Sequence, residues 1–122
     1  MRSTALKGLI LAKPEMELHI PATAWTTTGN AGVTEQLLAF DGQSGDATLM
    51  QRYEAGACTA SAVIRHEYWE EVLILEGTLT DLTLSQTFEA GSYACRPPGM
   101  PHGPYLSSAG CLMFVQTRYP SN

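Results

Sequence analysis

Apolar residues in this chain come in short runs rich in Val, Ile, Thr and Tyr, broken roughly every ten residues by Gly, Pro, Asn or Asp. That rhythm suits strands joined by turns and leaves little room for long helices. Candidate strands cover residues 17–20, 35–40, 47–53, 61–66, 71–75, 78–84, 92–96 and 111–117, and a helical period is confined to residues 4–11. The intervening Thr28-Gly29-Asn30, 41–46, Glu54-Ala55-Gly56 and 107–110 carry the small and polar residues that tolerate turn dihedrals. A chain of 122 residues holds one core. Many short strands in so small a protein must hide their edges in a sandwich or a closed barrel. A barrel is favoured because several polar candidates, discussed next, fall among apolar neighbours, as expected of side chains facing a lined cavity.

The most pointed motif is a paired spacing. His66-x3-Glu70-x6-Gly77 is followed by Gly91-x5-Pro97-x-Gly99-x2-His102, which sets two imidazoles and a carboxylate beside two expected tight turns. Two histidines and one carboxylate on one face form the ligand set of mononuclear non-haem iron oxygenases, and the same set holds zinc, manganese or nickel as a Lewis acid. Extended backbone from His66 puts even-numbered residues on its face, so Glu70 points inward and Glu71 outward. Pro97, Pro98 and Gly99 fix the approach to His102, expected to enter a strand in a single orientation.

Composition removes several function classes. The formal charge of −5 argues against a nucleic-acid surface, which needs clustered Lys and Arg. The longest apolar stretches, residues 8–12 and 72–75, are too short to cross a bilayer. Arg2 and Lys7 before the first of these imitate a secretion signal, but no cleavage site follows before Pro14, and the start reads as a mature N-terminus. Cys58, Cys95 and Cys111 are odd in number and show no CxxC spacing, consistent with reduced thiols in a cytoplasmic protein.

The segment from His66 to Gly77 resembles the first cupin motif, G(x)5HxH(x)3–4E(x)6G, from its second histidine onward. Gly91, Pro97, Gly99 and His102 are similar to the second, G(x)5PxG(x)2H, at all its fixed positions. The resemblance implies an all-β cupin jelly-roll barrel (a double-stranded β-helix) around a divalent metal, normally held by three histidines and one glutamate. His66, Glu70 and His102 would be the surviving ligands, with Fe(II) favoured and Zn, Mn or Ni as alternatives. Ile64 stands where the first histidine belongs, Cys58 where the opening glycine belongs, and Leu106 where an asparagine sometimes closes the second motif. A second register makes His66 the first histidine with Tyr68 in place of the second; it requires a shortened turn, and a phenol is a poorer ligand than imidazole.

Arg96, Tyr105 and Tyr53 are the candidate catalytic residues around the metal. Tyr93, Cys95, Met113 and Val115 are further candidates to line the cavity, and Trp25 to cap it. The ordinary reading of each is core, interface or surface, with Arg96 the exception because an inward guanidinium would orient a carboxylate or enolate. His19, beside Pro21, carries little weight as a ligand.

Residues 1–20 are expected to form an N-terminal segment that adds a strand to a second copy, giving a homodimer, and residues 21–122 the cupin domain. The favoured function is a metal-dependent enzyme acting on a small dicarbonyl or keto-acid substrate, by dioxygenase, lyase, decarboxylase or isomerase chemistry. The alternative is a non-enzymatic sensor, because the chain also looks like the cupins attached to anti-sigma factors. Those usually carry a partner-binding helical segment, and none is read in this sequence.

Overall fold

The computed structural model describes residues 13–120, and all its regular structure is β. The helical period at residues 4–11 and the first part of the N-terminal segment lie outside the described residues. No helix among those described is long and apolar enough to cross a membrane.

The strands are β1 (Trp25–Thr27), β2 (Val33–Phe40), β3 (Ala47–Tyr53), β4 (Ala57–Cys58), β5 (Trp69–Asp81), β6 (Gln86–Glu89), β7 (Tyr93–Arg96), β8 (Tyr105–Ser107) and β9 (Cys111–Arg118). All pairings are antiparallel, in the order β1-β2-β3-β9-β5-β8-β4, with β6 and β7 added to β5. The sheet curls on itself into a half-barrel of jelly-roll type, as the alternation of short strands and turns implied.

The curl originates in β5. Its first half pairs with β9 and β7 and its second half with β6 and β8, so one strand serves two sheets. The register with β9 shifts between Ile74 and Glu76. A bulge moves every later side chain to the opposite face. Glu70, Val72 and Ile74 accordingly point inward before it, and Leu79 and Asp81 after it.

Gly77 was expected to make a tight turn between two strands; instead it lies inside this one. Its φ is +78°, and a Cβ there would sit 1.9 Å from the Gly110 carbonyl oxygen. A glycine is needed because the β8–β9 turn crosses directly over it.

The core is the inner face of the curl: Val33, Tyr53, Val72, Ile74, Leu79, Tyr105, Cys111, Met113 and Val115 are all buried. Residues 47–53 form a strand with the expected limits, and 35–40, 92–96 and 111–117 are recovered with small changes at the ends. Residues 17–20 and 61–66 are not strands. The first is an exposed stretch with Leu18 and Ile20 in solvent; the second forms one isolated β-bridge, between Ile64 and His102, in place of a strand ladder.

Candidate metal centre

His66, Glu70 and His102 come from three different places. Glu70 is on β5, and the two histidines lie on irregular segments, so His102 does not enter a strand as expected. What fixes the histidines is a clamp between the two motifs. Ile64 N donates to His102 O at 2.8 Å and His102 N to Ile64 O at 3.0 Å, while Gly99 N donates to His66 O at 2.9 Å. Arg65 Nη1 adds a bond of 3.0 Å to Gly99 O. Pro97 O accepts from Met100 N at 3.1 Å, with Pro98 and then Gly99 (φ +82°) between them, the residue order of a type II turn. The proline–glycine run therefore turns the chain so that its backbone bonds directly to the segment carrying His66.

The three side chains converge. One donor atom from each lies within 4.8 Å of the others. His66 Nε2 is 3.7 Å and His102 Nε2 3.9 Å from Glu70 Oε1, too long for hydrogen bonds. His102 Nε2 is buried and has no hydrogen-bond partner among the described residues. Such an orphan costs about 1–3 kcal/mol of desolvation unless something occupies it. A cation seated between the three donor atoms would supply what this lone pair lacks, so the residues fit a metal.

The remaining His102 nitrogen is engaged: Nδ1 lies 2.8 Å from the Tyr105 hydroxyl. The tautomer able to ligate through Nε2 carries its proton on Nδ1 and donates it to Tyr105, the usual outer support of a ligating imidazole. Burial, reinforced by the Arg96 and His66 charges, lowers the His102 pKa from 6.5 to about 4, so the ring is neutral at pH 7, as a ligand must be.

Arg96, read from sequence as an exception to watch, is inside. It pairs with Glu70 on β5 across the β5–β7 ladder, and Nη1 donates to Glu70 Oε1 at 2.8 Å while Nη2 donates to the Tyr105 hydroxyl at 2.8 Å. One guanidinium thus connects the carboxylate to the phenol that holds His102. Burial raises the Tyr105 pKa to about 12 and that of Tyr53 further still, so both phenols keep their protons at neutral pH.

Glu70, not Glu71, faces the cavity; Glu71 is exposed and accepts a hydrogen bond from the Tyr93 hydroxyl on the outer face. Tyr53, Tyr105 and Met113 line the cavity and Val115 is core. Cys95 is exposed, and Trp25 stands on the edge strand under the Arg52 guanidinium rather than over the cavity. All three cysteines are free thiols. Ile64, in the corner where the resemblance calls for a histidine, does line the cavity.

Sequence reasoning overlooked part of the wall. Glu35 on β2 and Gln51 on β3 also line the cavity, joined by a 2.9 Å hydrogen bond. Alternation from Val33 would have placed Glu35 inside. Tyr68 stacks on His66 with ring centres 4.6 Å apart, and burial raises its pKa to about 12. The cavity bounded by these groups and the triad measures about 330 Å³, and a second pocket of about 440 Å³ shares Arg96, His102 and Tyr105 with it.

Residues 13–120 match the family described as the ChrR cupin-like domain. The chain belongs to the ChrR cupin-like family. No curated protein matches it at the sequence level. Among solved structures, this ChrR cupin-like chain is similar to an RmlC-like cupin from Shewanella frigidimarina (TM-score 0.70, 18% identity, 90% of this chain and 96% of that one). An acetylacetone dioxygenase from Acinetobacter johnsonii has the same fold (TM-score 0.70, 18% identity, 86% and 74%). So does a chain in the complex of Rhodobacter sphaeroides SigE with the anti-sigma ChrR (TM-score 0.62, 22% identity, 81% and 51%).

Proposed function

We propose that this cupin-like domain binds one divalent metal ion through His66, Glu70 and His102, Fe(II) being favoured over Zn, Mn or Ni, and acts on a small substrate that chelates through adjacent or 1,3-related oxygens. The observation that carries the reading is the buried, unpartnered Nε2 of His102 aimed at Glu70 and His66. A metal in such a site supplies Lewis acidity and, as Fe(II), reactivity toward dioxygen.

The chain's own residues supply orientation. Tyr105 holds the His102 ring, and Arg96 holds Glu70 while presenting its guanidinium to the cavity. Tyr53 and Tyr105 face the same space as protonated phenols and can donate to a developing oxyanion. Ile64 and Met113 provide apolar wall against which a substrate rests. The fold shared with acetylacetone dioxygenase supports a dicarbonyl or keto-acid substrate.

The ChrR relationship and the isoleucine at position 64 favour a second reading, a sensor that binds metal or ligand without turnover. The two are separated by oxygen consumption and product analysis on a panel of β-dicarbonyls and α-keto acids, using protein loaded anaerobically with Fe(II). Turnover that disappears in His66→Ala and His102→Ala supports the enzyme. Metal retention with no turnover on the panel supports the sensor.

We also propose a homodimer. The segment before Pro21 leaves Met16, Leu18 and Ile20 in solvent, alternating with polar residues, as a strand awaiting a neighbour would.

A further inference from the structure

The wall formed by Arg96, His102 and Tyr105 has two sides. One side is the triad's cavity; on the other lies a chamber of about 440 Å³ under the β6–β7 hairpin. Its volume falls within the roughly 300–1,000 Å³ typical of small-molecule sites. Ile74, Leu79, Phe88, Ala94 and Met113 line it, and Leu84 and Met100 stand half-exposed at its rim.

Two ionic groups reach this space. Asp81 is committed to structure: Oδ1 accepts from Thr83 N at 2.9 Å and Leu84 N at 3.0 Å, and Oδ2 from Gly103 N at 3.3 Å. Among the described residues Arg96 is the single cation in the lining, and it lines the triad's cavity as well. An apolar chamber with a guanidinium in the wall it shares with the triad's cavity complements a molecule with a hydrocarbon body and an anionic head.

We propose that this chamber holds the hydrocarbon body of a small organic acid, whose carboxylate meets Arg96 and whose neighbouring oxygens reach past it to the triad. The inference rests on the metal-dependent reading above and narrows its substrate class to acids bearing an aliphatic or aromatic body of several carbons. Glu70 and Tyr105 each take one N–H of the Arg96 guanidinium, and a carboxylate in the chamber would meet the other donors of the same group.

Calorimetric titration with octanoate, butyrate and 1-octanol tests this, on protein both stripped of metal and loaded with zinc. Octanoate is expected to bind at least tenfold more tightly than butyrate, which lacks the body, and than 1-octanol, which lacks the charge. Equal affinity for octanoate and butyrate would overturn the chamber's role, and equal affinity for octanoate and 1-octanol would overturn that of Arg96. Ala94 lines the chamber and not the triad's cavity, so Ala94→Phe should weaken octanoate at least tenfold with zinc uptake unchanged. Octanoate binding that survives Ala94→Phe, or that vanishes when a dimer is diluted to monomer, would place the ligand elsewhere and contradict the proposal. Failure of zinc uptake with octanoate binding intact would remove the metal reading and leave the chamber standing.

Discussion

Ile64 faces His102 across a pair of backbone hydrogen bonds and lines the same cavity as the triad. Replacing it by histidine should bring a third imidazole to the metal. Ile64→His is expected to tighten zinc at least tenfold in a competition titration against a chelating dye; unchanged affinity would show that the corner does not open onto the metal. His102 makes a second prediction, for metal-free protein. Above pH 6.5 its ring is neutral in both folded and unfolded chains, so it adds no pH dependence. Between 6.5 and about 4 the unfolded chain takes up a proton that the folded chain refuses, so stability falls as pH falls, by roughly 3 kcal/mol across the window, and then levels off. Urea midpoints at pH 7.5 and 5 should differ more in wild type than in His102→Gln; identical differences would contradict the burial assigned to this ring. At this scale the triad was readable because motif spacing carries it. Arg96 was legible only as a candidate, since an arginine before two prolines ordinarily reads as surface, and it is the β7 ladder pairing Glu70 with Arg96 that brings it inside.

The element that makes the fold is β5, and its critical position is Gly77. Gly77→Ala would force a methyl group into the Gly110 carbonyl and a positive φ onto an L-residue, a cost of at least about 2 kcal/mol. Gly56→Ala has open space at its Cβ and should lose only the φ component. Thermal or urea denaturation compares the two, and equal losses would argue against the close crossing over β5. Strands of seven or eight residues such as β2, β3 and β9 were visible from their alternation. β1, β4, β6 and β8 run from two to four residues, too short to display a period. The bulge in β5 broke its alternation near Glu76, which is why one long strand read as two with a turn between. Residues 17–20 alternate like a strand yet pair with nothing among the described residues.

At the scale of the whole molecule, that unpaired segment and the metal centre make the remaining predictions. Light scattering after size exclusion at micromolar concentration should give twice the chain mass, and Leu18→Lys with Ile20→Lys should give the monomer; a monomeric wild type would contradict the dimer. The half-barrel has the cupin form that the two motifs implied, because their glycines and prolines fix the turn and the backbone crossing that close it around the cavity. The nature of the ligand was not written in those motifs; it depends on Arg96, Tyr105 and the apolar chamber, which only the folded chain assembles. The most direct test of the account is the metal content of protein purified without chelators or affinity metals, measured beside His102→Ala. The account predicts one divalent metal per chain in the wild type and a loss of at least tenfold in the variant. Equal content in both, or none in the wild type after incubation with Fe(II) or zinc, would contradict it.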